Sequence, residues 1–204
     1  MKIEQRENVL AWADVLAEWR AREEEIWRPL YTERGYDDWQ SWRETYFQEL
    51  GLATRPWSRE VLAEPHGVVG TWHMGGFPGW FRYRKVDEVL TTFEQLVSPV
   101  TPGELNRLGK PREDVRDNPK VRALVGGLYD TTVILMRAPG FETLLEGTHR
   151  LAAVAVEAAS GSRSNFKLQV HVVDFGETER PLLEKFAQDR QAIIKLTSDS
   201  RLKS

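Results

Sequence analysis

Residues 132–159 constrain the fold of this chain more than any other stretch. Thr132-Val133-Ile134-Leu135-Met136 is a continuous apolar run of strand length. Ala138-Pro139-Gly140 turns the chain, and Phe141 to Leu145 returns it as a second strand. Glu146-Gly147-Thr148-His149-Arg150 follows at once, and Leu151 to Ala159, rich in Ala and Val, reads as a buried helix. A hairpin that feeds a buried helix through a glycine points to an α+β fold.

The glycine turn also suggests chemistry. The first N–H groups of a helix have no partner within it and point at whatever sits at its start. Arg150 adds a cation on the same turn. Phosphate binding is the expectation, with no substrate named.

Composition narrows the class. The chain has 204 residues, enough for one domain with an added element or for two small ones. A formal net charge of −3 gives no global pull toward nucleic acid or anionic membrane. No cysteine is present, which excludes disulfides, thiolate metal sites and cysteine nucleophiles. Met1 to Gln5 carries no apolar signal core, and no apolar run approaches the roughly 20 residues of a membrane span. The expectation is a cytoplasmic protein without membrane partners.

Residues 1–52 read as a helical N-terminal segment, ahead of a domain over 53–204. Val9, Trp12, Ala13, Leu16 and Trp19 share one helical face. Arg20 to Glu25 reads as a solvated run, and Pro29 as a stop or kink. Asp37 is the expected cap of a second helix that carries Trp39, Trp42, Tyr46 and Leu50, ended by Gly51. Such spacing assigns the tryptophans of this segment to packing, with stacking on bases or caging of a cation as the alternative. The segment's role stays open between a lid, scaffolding and an arm for a homodimer through the N-terminal helices.

Residues 53–85 read as loop-rich, with a short strand within Val68 to Met74. Trp72 to Trp80 has no phosphate-loop ending and reads as an ordered loop or a pocket wall. Phe81 to Leu96 is expected to end in a helix, and Gly103 to Leu108 to make a short helical turn. Asn118-Pro119 opens a helix with Val121, Leu124, Val125 and Leu128 on its apolar face. Lys167 to Val173 alternates as a strand. Glu177 to Leu196 reads as a C-terminal helix with Leu182, Leu183, Phe186, Ile193 and Ile194 on its apolar side.

The order helix, strand, turn, strand, Gly-x-His-Arg, helix, strand over Asn118 to Val173 resembles the ParB/sulfiredoxin superfamily. Pro119-Lys120-Val121-Arg122-Ala123-Leu124-Val125 is similar to the Lys-Val-x-x-Leu helix of sulfiredoxins. The resemblance implies a ParB/sulfiredoxin-like core with a small mixed sheet. It also implies a phosphate-binding set of Lys120, His149 and Arg150, helped by the backbone of Gly147 and Thr148. Thr148 stands where sulfiredoxins need a cysteine, so sulfinic-acid reduction is out. ParB proteins carry a helix-turn-helix domain after this core, and the residues after Val173 suffice for one helix. With the acidic balance, this argues against nucleic-acid partners.

The free-serine-kinase branch fits the motif better, because Glu146 takes its acidic position. The resemblance then implies ATP or another nucleotide with magnesium, and a small-molecule or peptide substrate. Arg150 and Lys120 hold phosphates, His149 orients or neutralises the transferred group, and Glu146 binds the metal or acts as base. A further catalytic Glu is sought among Glu88, Glu94 and Glu104, with Glu104 favoured. The expected function is a phosphotransferase or nucleotide hydrolase. The alternatives are a non-catalytic nucleotide- or anion-sensing or protein-interaction module, and a DNA-associated ParB relative.

Overall fold

The computed structural model describes residues 3–45, 47–127, 131–162 and 165–189. Tyr46, Leu128, Ile193 and Ile194, expected to supply apolar contacts, lie outside the described residues. The fold is mixed α+β. Strands β1 (Ile3–Leu10), β2 (Trp57–Leu62), β3 (Thr131–Ala138), β4 (Phe141–Glu146) and β5 (Leu168–Asp174) form one sheet in the order β1-β2-β5-β3-β4. β5 and β3 pair in parallel at the centre, and the other neighbours are antiparallel. The hairpin, the buried helix and the β5 strand thus form at the positions their patterns indicate.

Each face of the sheet has its own cover. Helix α5 (Thr148–Ser160) lies on one face with α3 (Phe93–Leu96) and α4 (Pro119–Leu124). There Leu151, Ala152 and Val154 bury fully, in one core with Val133, Leu135, Leu144, Val170 and Val172. Asn118 caps α4, accepting from the amides of Lys120 and Val121. On the other face lie α1 (Trp12–Glu33), α2 (Trp39–Glu44) and α6 (Arg180–Gln188). Their core joins Trp12, Trp19, Trp39 and Trp42 to Ile134, Met136 and Val173 of the sheet.

The N-terminal segment differs from its reading in three ways. It opens with a strand: β1 pairs with β2, so residues before and after 52 share one sheet. Val9 belongs to that strand, while Trp12, Leu16 and Trp19 bury together with Val15, and Ala13 is exposed. Helix α1 continues through Pro29 to Glu33. Pro29 and Glu25, whose carbonyl loses its usual partner there, are both exposed, so water can satisfy that carbonyl. Asp38, one residue later than expected, caps α2 by accepting from the Ser41 amide at 2.8 Å.

The middle of the chain also departs from expectation. β2 lies inside the stretch read as loop. Val68 to Met74 makes 3-10 turns in place of a strand. His73 then bonds both ways to the outer edge of β4, donating to Glu142 O and accepting from the Leu144 amide. A Cβ at Gly75 would meet the Leu144 carbonyl at 2.5 Å, so a glycine is needed where the loop crosses the strand. Trp72 to Trp80 therefore covers a sheet edge. Gly103 to Leu108 forms bridged turns in place of a helical one. The C-terminal helix, expected from Glu177, begins with a 3-10 turn (Glu177–Glu179), and Leu183 and Phe186 bury as read.

Candidate functional site

The site is built where β4 passes into α5. Leu135 pairs with Leu144, but Ile134 pairs with Glu146, so β4 carries one extra residue, Leu145. Such a bulge re-aims the side chain that follows it. Glu146 thereby lines up with Ile134, His171 and Arg59 in a row across the sheet, beneath α1.

Gly147 then takes φ +107°, and a Cβ there would lie 2.4 Å from Val133 Cγ1. Only glycine fits. No side chain caps α5, and Thr148, His149 and Arg150 form its first turn beside a cavity of about 640 Å3. Arg22, Glu23, Ile26 and Trp27 of α1 wall the cavity on one side. Lys120, Ala123 and Leu124 of α4 wall it on another, and Glu146 to Arg150 form its base. The structure thus brings together Lys120, Glu146, Gly147, Thr148, His149 and Arg150.

The charges in this cavity are unevenly satisfied. Both oxygens of Glu146 accept from Arg150, and Arg22 Nη2 stands 3.9 Å from the same carboxylate. Arg22 Nε and Nη2 and Arg150 Nε are buried with no hydrogen-bond partner among the described residues. Buried donors of this kind are costly unless an acceptor meets them. Burial pushes the Glu146 carboxyl up to about 7, against the pull of Arg150 and with further help from Glu23. Glu23, on the wall of the same cavity, is the second carboxylate near Glu146. On its other side Glu23 pairs with Arg43, whose guanidinium lies 4.3 Å from the Trp42 ring and 5.1 Å from Trp19.

His149 packs its ring against Trp80 at 4.8 Å. Burial, and then Lys120 and Arg150, push it down to about 4. Without a bound anion it is therefore neutral at physiological pH. Trp80 is the means by which the Trp72-to-Trp80 loop touches the site; no residue of that loop walls the cavity among the described residues. Lys120 Nζ stands 5.5 Å from the Trp27 ring centroid.

Glu104 is not brought to this cavity. It pairs with Arg112 at 2.6 Å and Lys85 at 3.1 Å, and the Arg112 hydrogen bond holds its carboxyl below the usual range. Arg112, buried, also donates to the carbonyls of Tyr83 and Leu96. Glu104 therefore braces loops. Glu94 lines a separate cavity of about 580 Å3 beside His66, and Glu88 does not line the site either.

The second carboxylate of the site is Glu23, within the run read as solvated. Arg22 and Glu23 face inward, while Glu25 is exposed. The four-residue step from Glu18 to Arg22 carried a usable signal, because one turn of α1 sets both over the sheet. Glu18 meets His171 at 3.3 Å and pairs with Arg59.

Among the described residues no group of three or more His, Asp or Glu side chains is disposed to hold a metal. No helix among the described residues is long and apolar enough to cross a membrane. No family model, curated protein or solved structure matches this chain.

Proposed function

We propose that this chain is a nucleotide-dependent enzyme on a ParB/sulfiredoxin-like core, a phosphotransferase or nucleotide hydrolase acting on a small molecule or peptide. One observation carries the reading. The partly exposed side chains of Arg22 and Arg150, with Lys120, line one cavity beside a helix start that only glycine can open. That arrangement suits a polyanion. The cavity also falls within the roughly 300–1,000 Å3 of small-molecule sites.

In this reading Arg150, Arg22 and Lys120 hold phosphates, with the amides of Thr148 and His149. Glu146, poised near neutrality, takes the proton of the attacking hydroxyl or water. Magnesium enters with the phosphates, whose oxygens are its better ligands. The helical arm α1–α2 is one wall of the site rather than a detached module.

Thermal shift with ATP, CTP, GTP and ADP, with and without magnesium, tests the proposal. Stabilisation by a nucleotide that vanishes in Arg150→Ala supports it, and release of phosphate separates an enzyme from a sensor. Absence of any shift across the panel refutes it.

A further inference from the structure

The two ends of the cavity are chemically unlike. Arg22, Arg150 and the first turn of α5 mark one end, where Glu146 and Glu23 also line the wall. The other end is mainly apolar: Ile26 and Trp27 of α1 and Ala123 and Leu124 of α4 line it, with Lys120 Nζ 5.5 Å from the Trp27 ring centroid. Ile26 is 66% exposed, among the most exposed large apolar side chains described. Its exposure has no packing purpose, because the buried stripe of α1 runs through Trp12, Val15, Leu16 and Trp19.

Trp27 is held in place from behind. Its ring lies 5.9 Å from that of Trp42, and the Arg43 guanidinium is 5.6 Å from its centroid. Both Arg43 and Trp42 are well buried, so the indole is an anchored plate and not a loose surface group. A bare anion has no use for such a plate, and a wholly apolar ligand has none for the arginines. Arg22 and Ile26 are four residues apart on α1, about 6 Å along its axis, comparable to the ribose that joins a base to its first phosphate.

We infer that Trp27 and Ile26 seat the flat organic part of a phosphate-bearing ligand, the base of a nucleoside polyphosphate, whose phosphates lie at the start of α5. This rests on the polyanion reading above and adds to it that selection of the ligand comes from the N-terminal arm, outside the core that holds the phosphates. Stacking accepts any planar base. The seat therefore separates nucleotides from inorganic polyphosphate more strongly than it separates one base from another.

Calorimetry on the full chain tests this with ATP, adenosine and inorganic tripolyphosphate. The wild type should bind ATP on the order of tenfold more tightly than tripolyphosphate. Trp27→Ala should abolish that ratio and Trp27→Phe should keep most of it. Ile26→Ser, on an exposed side chain that leaves the fold intact, should lower it about threefold. An unchanged ratio in Ile26→Ser and in folded Trp27→Ala overturns the inference and leaves the phosphate site standing. So does a concentration-dependent dimer that Ile26→Ser dissociates without altering the ratio, since a second copy would then cover this patch. If neither ATP nor tripolyphosphate binds, the inference falls together with the phosphate site.

Discussion

The two faces of the sheet are built from the same strands and solve opposite problems. Beneath α5 the row Val133, Leu135, Val170 and Val172 meets Leu151, Ala152 and Val154 in an apolar contact, with the His66–Glu157 pair farther along α5. Beneath α1 the row Arg59, His171, Ile134 and Glu146 meets Glu18 and Arg22, so charges are layered between a helix and the sheet. The apolar face fixes where the backbone goes. The charged face carries groups whose protonation the burial has shifted, and the candidate site opens at its edge.

That contrast can be tested by substitution. Leu135→Ala on the apolar face should cost about 2–5 kcal/mol, equally at pH 6 and pH 8 by denaturant unfolding. A pH-dependent loss would show that the faces are not independent. Gly147→Ala joins the two, because its new Cβ strikes Val133 of the apolar face while the residue starts the site helix. It should cost about 2–4 kcal/mol, and the companion change Val133→Ala should recover part of that through the relieved clash. Full additivity of the two losses would refute the steric account.

Arg150→Met should act through the charged face alone. It leaves the Glu146 carboxylate buried without its main partner, a loss of about 1–3 kcal/mol at pH 8. At pH 6 the carboxyl is protonated and the loss should be smaller. Equal losses at both pH values would break the assignment of a titrating Glu146.

The smallest effect is the pH dependence of the native protein. His149 and His171 are pushed down to about 4 by burial, so the unfolded chain binds more protons than the folded one between about pH 4 and 6.5. Stability therefore rises across that window. Glu146, raised to about 7, works the other way: the folded state holds its proton longer, and stability falls as pH passes from about 4.5 through 7. His73 adds to the rise, and Glu88 and Glu142 to the fall, by smaller shifts; with the two most shifted histidines against one strongly shifted carboxyl, stability should peak near pH 6.5 and decline slightly above it. Glu146→Gln should remove the decline. Anion affinity should likewise weaken from pH 6 to pH 8 in the wild type and stay flat in that variant.

The hairpin, the glycine turn and α5 were legible because local pattern alone decides them. Val133 to Met136 is an apolar run of strand length, and Gly147 stands between it and the Ala- and Val-rich helix as a turn residue. Glu146 was legible as a residue of the site, but its direction was not. That depends on the Leu145 bulge, a matter of register between two strands. Arg22 and Glu23 were missed because a charged run on a long helix has the same composition whether it faces water or other charges. Glu104 was chosen for want of an alignable segment, and long-range pairing with Lys85 and Arg112 decided its place. β1 was read as helix because its partner, β2, lay in a stretch dominated by turn residues.

The aromatic cluster of the arm has an optical consequence. Trp12, Trp19, Trp27, Trp39, Trp42 and Trp57 all belong to or pack against the α1–α2 side, whereas Trp72 and Trp80 sit with α5. Ultraviolet emission from this protein is accordingly dominated by one layer, several of whose indoles lie beside the Arg43 cation. Lifting of that layer would redden the spectrum while the far-ultraviolet circular dichroism of the sheet stayed constant, a native reporter that needs no label.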